Sequence, residues 1–298
     1  MKNNILVLMN ARFEINRHYI KYGNRDKLVF APLYKIYKKG FLYQIAALWM
    51  QKLGIPFQSI WYDDWKKKVR DYDVVIVFAV HLSWKVLAYI RKKNPNVRLI
   101  VWFWDSINEK VCYDKKYIDN CEVWSFDKED CIKYGFKENT QFFIERNGSK
   151  KKNILYDAMF VGREKGRKDI ISEITTKLYS YHFKIYTYLL SDNTQNGMEY
   201  DEVLDIVEQS LCIIDVPKPN QSGLTLRVLE AIFYNKKLIT TNKNVVEEEF
   251  YNPQNILVWD NPTQEELISF FTKPVIPVTS DICKKYTIEQ WISNFDKE

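Results

Sequence analysis

Short, continuous runs of apolar residues recur along this chain and constrain its fold more than any other feature. They are uninterrupted rather than alternating, which is typical of parallel strands covered by helices on both faces. Helical patterns separate the runs, so their order predicts βαβ units and doubly wound sheets. The apolar runs are residues 5–9, 74–80, 98–104, 155–161, 211–214 and 237–241, and the helical patterns include 41–53, 84–93, 170–178 and 286–296.

A single interruption of this strand–helix alternation predicts two domains. The polar, glycine-containing stretch 146–153 separates an α/β pattern over residues 1–150 from a second one over residues 151–298. A chain of 298 residues has room for two such domains, each with its own apolar core. The fold class is therefore α/β, with two Rossmann-like, doubly wound domains divided near residue 150.

Charge is distributed unequally between the two halves. Residues 1–150 carry a formal net charge of +11 and residues 151–298 one of −5. The segment 17–39 is both basic and aromatic, and a solvated basic face is one interpretation of it. The others are contact with an anionic membrane surface, with a phosphate-bearing acceptor or with nucleic acid. Its basic residues are Arg17, Lys21, Arg25, Lys27, Lys35, Lys38 and Lys39, opposed by Asp26, and its aromatic residues are Tyr19, Tyr22, Phe30, Tyr34 and Tyr37.

Composition and spacing argue against several classes of protein. The five cysteines show no Cys-x-x-Cys spacing and the three histidines are dispersed, so neither disulfides nor a zinc site are expected. No apolar run reaches about 18 residues and none resembles an export signal, which predicts a cytoplasmic protein without a transmembrane helix. Asp71 and Asp73 form an Asp-x-Asp pair, but they precede their strand and are interpreted as loop carboxylates. No nucleic-acid-binding module is recognisable, so nucleic acid is not an expected partner.

The loops after two strands of the second half form the candidate ligand site. In open parallel sheets, ligands bind beyond the carboxyl ends of the strands. The loop after 155–161 carries basic side chains that could neutralise a diphosphate. In the loop after 211–214, Gly223 lets the backbone approach a ligand, and Thr225 stands at a helix start that favours an anion. The basic residues are Arg163, Lys165 and Arg167.

The helix after the second loop is expected to supply another ligand contact. Glu230 lies five residues beyond Thr225, about 7.5 Å along a helix axis, which roughly matches the distance from a diphosphate to its ribose hydroxyls. The predicted buried stripe leaves Arg227 and Glu230 together on the opposite face. The alternative interpretation is a surface helix on which these two side chains pair in solvent. The stripe consists of Leu226, Leu229, Ile232 and Phe233.

Two segments of the second half resemble the donor motif of the GT-B glycosyltransferases. They are 222–231, Ser-Gly-Leu-Thr-Leu-Arg-Val-Leu-Glu-Ala, and 235–242, Asn-Lys-Lys-Leu-Ile-Thr-Thr-Asn. The likeness is greatest to bacterial capsule, O-antigen and lipopolysaccharide-core transferases, including the CgeB-like group, and covers mainly residues 155–260. It implies transfer of a sugar from a nucleoside diphosphate donor to a cell-surface polysaccharide or lipid-linked oligosaccharide precursor.

The resemblance also implies an architecture and a set of binding residues. An acceptor-side domain, 1–150, would face a nucleotide-sugar-binding domain, 151–298, across a cleft, with the final helix packing back across the junction. Glu230 would bind the ribose. Arginines, lysines and a helix dipole would replace a metal, so neither a metal nor another cofactor is expected. The nucleotide-sugar-binding residues would be Gly162, Arg163, Lys165, Arg167, Ser222, Gly223, Leu224, Thr225, Arg227 and Glu230, with Gly162-Arg163 and Lys165-Gly166 at the diphosphate.

Two side chains at strand ends of the first half are candidate catalytic bases. An inverting transferase needs a carboxylate or a histidine to accept the proton of the acceptor hydroxyl. Asp105 follows the run 98–104 and is the first candidate, with capping of the next turn as its structural alternative. His81 follows the run 74–80 and could instead be a hydrogen-bonded structural residue. The retaining branch of the family has a glutamate where this chain has Ser222, so inversion and retention both stay open.

Other functions fit parts of the same pattern. A nucleotide-sugar epimerase shares the two-domain plan but needs no acceptor. A non-catalytic nucleic-acid- or membrane-binding protein would use the basic first half and would not need Glu230. An inactive partner subunit would bind nucleotide without turnover. Under the transferase hypothesis the partners are a nucleotide-sugar donor and a saccharide or lipid-linked saccharide acceptor, and segment 17–39 could hold the protein at the inner face of the cell membrane.

Overall fold

The structure, a computed structural model, divides into two compact units. They are Met1–Asn139 and Thr140–Glu298, and each has its own parallel sheet and its own apolar core. The structure describes residues 3–35, 45, 49, 58–79, 84–107, 118–148, 152–192, 194, 197–219 and 221–296.

The division falls earlier in the chain than the boundary expected near residue 150. Residues just after Asn139 bond to the second unit: the backbone N–H of Phe143 donates to the Tyr286 carbonyl over 2.9 Å. Arg146, expected in a linker, forms a 2.6 Å ion pair with Glu208. The segment after Asn139 is therefore part of the second unit, because its side chains and backbone are paired there.

The first unit is built on a parallel sheet whose strand order, in the described chain, is β2-β1-β3-β4-β5-β6. All the residues of β1 and β3 are buried, as expected for strands covered on both faces. The predicted runs 5–9, 74–80 and 98–104 correspond to β1, β3 and β4. The strands are β1 (Ile5–Met9), β2 (Leu28–Pro32), β3 (Val74–Phe78), β4 (Arg98–Phe103), β5 (Glu122–Ser125) and β6 (Lys137–Glu138), and the helices are α1 (Glu14–Tyr22), α2 (Trp65–Lys68), α3 (Trp84–Lys93) and α4 (Lys128–Tyr134).

The basic, aromatic segment 17–39 is less exposed than its composition indicates. Its middle forms strand β2, and Tyr19, Phe30 and Tyr34 are buried in the core. Arg17 donates to the backbone carbonyls of Ala11 and Arg12, so its charge is directed partly at the chain itself. These three aromatic residues therefore belong to the core, and a membrane or acceptor contact by the segment stays a prediction. Lys38, Lys39 and Tyr37 lie outside the described residues, as does most of the predicted helix 41–53.

The second unit is also an open parallel sheet, with strand order β11-β10-β9-β7-β8 in the described residues. The chain winds from β7 to β8 on one side and then crosses to β9 on the other, so β7 and β9 flank the topological switch point. The strands are β7 (Tyr156–Arg163), β8 (Ile185–Leu190), β9 (Ser210–Asp215), β10 (Lys237–Thr240) and β11 (Ile256–Val258), and the helices are α5 (Lys168–Ser180), α6 (Tyr200–Glu208), α7 (Leu226–Phe233), α8 (Gln264–Thr272), α9 (Ser280–Lys284) and α10 (Ile288–Asn294).

The last helix buries the apolar stripe that the sequence predicts for it. Ile288, Trp291, Ile292 and Phe295 are all buried. The Trp291 ring lies 4.4 Å from the ring of Phe142, centroid to centroid, within the second unit. The passage of this helix across a domain junction stays a prediction. No helix in the described ranges is long and apolar enough to cross a bilayer.

Candidate functional site

A cavity of about 390 Å³ opens at the carboxyl ends of β7, β9 and β10 in the second unit. Its position at the switch point between β7 and β9 is where open α/β sheets bind ligands, and its volume is in the range of small-molecule sites. A second, mostly apolar cavity beside α7 holds about 20 Å³, enough for about one water molecule. The larger cavity is therefore the candidate site, and its polar lining includes Arg167, Lys218, Gln221, Asn242, Lys243 and Asn244.

The lining of this switch-point cavity combines cationic and amide side chains. Arg167, Lys218 and Lys243 bring positive charge from the loops after three adjacent strands. Arg167 is held in place because its guanidinium donates to the carbonyls of Val216 and Arg163 and lies 5.6 Å from the Phe160 ring. Such a lining favours an anionic ligand with further hydrogen-bonding groups, as a phosphate ester has.

Of the basic residues expected after β7, Arg167 lines the cavity while the other two engage the loop after β8. Arg163 donates to the carbonyl of Thr194 over 2.6 Å. Lys165 is exposed, has a left-handed backbone with φ of 42°, and its N–H donates to Asp192 Oδ1 over 3.0 Å. A diphosphate contact by either residue stays a prediction.

Gly162 and Arg227 meet at the end of β7. The Arg227 guanidinium donates to the Val161 carbonyl over 3.0 Å and lies 4.9 Å from the centre of the Phe160 ring. A Cβ atom on Gly162 would come within 2.5 Å of Arg227 Nη2. Gly162 is therefore required for the position of Arg227, a physical role that differs from the backbone–ligand contact implied by the resemblance.

Thr225 is the N-cap residue that precedes α7 and is buried, but its side chain makes no capping bond to that helix. Its hydroxyl donates instead to Oδ1 of Asp215, the last residue of β9, over 2.6 Å. In the preceding loop Gly223 is buried, while Ser222 and Leu224 are half-buried. The carbonyl of Gly223 accepts a 3.5 Å bond from the Gln221 side chain, which lines the cavity.

The expectation that Glu230 lies off the buried face of the helix is wrong. Glu230 is 4% exposed, and its Oε1 accepts a 2.6 Å hydrogen bond from the hydroxyl of Tyr200. Burial raises the pKa of this carboxyl, against the opposing effects of the Tyr200 bond and of the Arg227 charge. The face carrying Glu230 is buried because Tyr200, from the start of α6, packs over it, whereas Leu226 of the predicted stripe is half-buried. A ribose contact by Glu230 stays a prediction.

The cavity lysines Lys218 and Lys243 were not among the predicted site residues. Both follow strands of the sheet at their carboxyl ends, β9 and β10. That position was the available signal, because the ligand edge of a parallel sheet collects the residues after each strand. The same signal applies to Asp215, the last residue of β9, which is also absent from the predicted set.

Of the two catalytic candidates in the first unit, Asp105 lies within the described residues, and its role as a base stays a prediction. Asp105 lies two residues past the end of β4, half-buried, next to Ser106, whose hydroxyl donates to Asp127 Oδ2 over 2.9 Å. His81 lies outside the described residues. Asp73 is at the amino edge of the sheet and accepts a 2.8 Å bond from the Asn4 N–H, in line with a structural role. Within the described ranges, no three His, Cys, Asp or Glu side chains are grouped so that they could hold a metal ion.

Comparison with known proteins gives weak similarities. A scan against protein-family models and a search of curated proteins return no match, so the likeness to the CgeB-like group stays a prediction. UDP-GlcNAc 2-epimerase from Methanocaldococcus jannaschii matches with 10% identity and a TM-score of 0.43, over 98% of this chain and 97% of that one. Sucrose-phosphate synthase from Thermosynechococcus elongatus matches with 8% identity and a TM-score of 0.49, over 98% and 97%. Scores this low support no inference about activity, so function is inferred from the site.

Proposed function

We propose that the switch-point cavity binds the nucleoside diphosphate of a sugar donor and that the chain is a glycosyltransferase. The observation that carries this proposal is the convergence of Arg167, Lys218 and Lys243 on one cavity at the carboxyl edge of β7, β9 and β10. Three cations around one cavity suit the clustered negative charge of a diphosphate.

The rest of the lining suits the remainder of such a donor. Gln221, Asn242 and Asn244 offer amide donors and acceptors for ribose hydroxyls or a base edge. The loop that ends at Thr225 and the start of α7 add backbone N–H groups near the same edge, which favour a phosphate. Fixed cations here could neutralise the leaving diphosphate, so the proposal needs no metal.

The acceptor side of the proposal rests on the first unit. Asp105, at the carboxyl end of β4, is the proposed base that takes the proton of the acceptor hydroxyl, with His81 as the other candidate. The proposed acceptor is a saccharide or lipid-linked saccharide, a precursor of capsule or lipopolysaccharide. The basic residues of 17–39 would hold the protein at the anionic inner face of the membrane.

Turnover with a panel of UDP-, GDP-, CDP- and TDP-sugars tests the proposal. A glycosyltransferase releases free nucleoside diphosphate at a rate that depends on added saccharide acceptor. An epimerase would interconvert the sugar of the donor without any acceptor and so contradict the transferase assignment. Binding of nucleotide with no consumption of any donor, across a range of acceptors, would favour the inactive partner subunit.

A further inference from the structure

We propose that Asp215 is a positioning residue for the switch-point cavity, holding both of its walls in place from beneath without touching the ligand. The inference rests on the proposed nucleotide function and extends it to a residue outside the predicted binding set. Asp215 ends β9 and is 0% exposed. A carboxylate buried in this way costs free energy unless hydrogen bonds and charges compensate it, so its partners reveal its role.

The partners of Asp215 come from different elements of the sheet edge. Its Oδ1 accepts the 2.6 Å bond from the hydroxyl of Thr225, at the start of α7. Its Oδ2 accepts a 2.9 Å bond from the hydroxyl of Thr240, at the end of β10. The Arg227 Nη1 atom lies 3.6 Å from Oδ1. One carboxylate therefore joins the end of β9, the end of β10 and the start of α7.

The wall of the cavity after β10 is connected to Asp215 through Thr240. The hydroxyl oxygen of Thr240 accepts a 3.1 Å bond from the Asn242 N–H, and Asn242 Oδ1 accepts a 3.0 Å bond from the Asn244 N–H. The Asp215 carbonyl itself accepts the N–H of Thr241 over 3.2 Å. Asn242 and Asn244 both line the cavity, so this chain of bonds holds the backbone of both residues and the side chain of Asn242.

The opposite wall of the cavity is connected to Asp215 through residues at the two ends of the loop after β9. Val216 follows Asp215 directly, and its carbonyl accepts the Arg167 guanidinium. Arg227, beside Asp215, donates to the Val161 carbonyl on β7. Arg167 lines the cavity, so the residue that follows Asp215 holds a cation of one wall, while the Asp215 carboxylate reaches the amide wall through Thr240.

The hydrogen-bond partner of the Thr225 hydroxyl supports a role beyond ordinary helix capping. A threonine at an N-cap usually accepts a bond from an N–H of the first helical turn. Here its hydroxyl donates to the carboxylate of Asp215 and makes no capping bond. A loop held in its binding conformation loses less conformational entropy when a ligand arrives, so affinity rises. The physical consequence of the network is therefore pre-organisation of the cavity.

The test compares nucleotide binding by variants in which a threonine hydroxyl is removed inside or outside the Asp215 network. Thr225→Val and Thr240→Val each remove one bond to Asp215 while keeping the side-chain shape, and Thr225→Ser restores the hydroxyl. Thr175→Val is the matched control, because Thr175 is a buried threonine of α5 whose hydroxyl bonds the Ile171 carbonyl over 2.9 Å. Calorimetry measures the dissociation constant of each variant for the nucleoside diphosphate that the wild type binds, at a temperature where every variant is folded. The midpoint of thermal unfolding is measured for each variant as well.

We expect Thr225→Val and Thr240→Val to weaken nucleotide binding by about threefold to tenfold, the effect of one hydrogen bond. Thr225→Ser should recover most of the affinity that Thr225→Val loses, and Thr175→Val should lose stability with an unchanged dissociation constant. Unchanged binding in both valine variants, or an equal loss in the control, would overturn the positioning role while leaving the proposed function intact. A wild type that binds no nucleoside diphosphate would overturn both. Asp215→Asn adds a further comparison, but the threonine variants decide the matter if it does not fold.

Discussion

The hydroxyl of Thr225 donates a 2.6 Å hydrogen bond to Oδ1 of Asp215, ten residues earlier in the chain. The bond closes the loop between β9 and α7 at its base, joining the last residue of the strand to the residue that precedes the helix. Lys218 and Gln221, which line the cavity, belong to this loop. A loop closed by its own end residues has fewer conformations to lose on binding, which is why this contact matters for affinity.

Gly162→Ala should destabilise the second unit by displacing Arg227. A Cβ atom at this position would lie 2.5 Å from Arg227 Nη2, so the guanidinium must shift and its bond to the Val161 carbonyl is weakened. We expect a loss of about 1 kcal/mol in the free energy of unfolding, the net contribution of that hydrogen bond. Arg227→Ala removes the side chain that clashes, so the double variant should be much less destabilised than the sum of the two. Additive losses in urea unfolding would show that Gly162 acts through another contact.

Glu230→Gln should change how stability depends on pH. Burial raises the pKa of the Glu230 carboxyl above its ordinary value of 4.5. A carboxyl whose pKa is higher in the folded state stabilises the fold below the unfolded pKa, and that contribution is lost as pH rises through the folded pKa. Glutamine keeps an acceptor for Tyr200 but does not ionise, so the variant escapes this loss.

We therefore expect Glu230→Gln to gain stability relative to the wild type as pH rises from 4.5 to neutrality. Urea unfolding at several pH values measures the difference, with Glu265→Gln, an exposed position on α8, as the control. A difference between Glu230→Gln and wild type that stays constant over this range would contradict the assignment of a raised pKa.

Arg146→Ala should be strongly destabilising, although the sequence places Arg146 in a polar linker. Arg146 pairs with Asp205 over 2.7 Å and with Glu208 over 2.6 Å, and the Glu208 side chain is 5% exposed. Arg146→Ala removes charged hydrogen bonds but leaves Lys152 Nζ 3.7 Å from Glu208, so we expect a loss of about 1.5–3 kcal/mol. Lys284→Ala breaks a pair whose side chains are 70% and 86% exposed, so solvent screens it and stability should change little. Similar losses for the two variants in thermal unfolding would refute a structural role for Arg146.

Sequence patterns were enough to locate the strands that are buried and long. The continuous apolar runs at β1, β3 and β4 are most simply interpreted as parallel strands covered on both faces. Strands β6 and β11, of two and three residues, are too short for any periodic signal. Strand β2 was missed because it lies inside the basic segment 17–39, where flanking charges dominate the composition.

The site could be predicted only as far as its loops. Which side chains face the ligand depends on partners distant in the chain. Glu230 is covered by Tyr200, thirty residues away, and Asp215 is bonded by Thr240, twenty-five residues away. Helical spacing alone assigns Glu230 to an outer face, because spacing describes one helix and contains nothing about the element packed over it.

The membrane prediction concerns the lysines of segment 17–39. Replacing Lys35, Lys38 and Lys39 by alanine should weaken sedimentation with anionic phosphatidylserine vesicles about tenfold or more, since each basic residue contributes about 1 kcal/mol near such a surface. Replacing the exposed Lys67, Lys68 and Lys92 changes the net charge equally and serves as the control. Unchanged sedimentation, or an equal loss in both triple variants, would contradict a specific membrane role for 17–39.

Calorimetric titration with UDP, GDP, CDP and TDP tests most directly whether the switch-point cavity binds a nucleoside diphosphate. The wild type is compared with Lys218→Ala/Lys243→Ala, which removes two cations of the cavity, and with Lys273→Ala/Lys284→Ala, which removes two exposed charges elsewhere in the same unit. We expect at least one nucleotide to bind the wild type and the control with the same affinity. Its affinity for the cavity variant should be lower by about tenfold or more. No binding of any of the four, or equal binding to all three proteins, would contradict the assignment of this cavity.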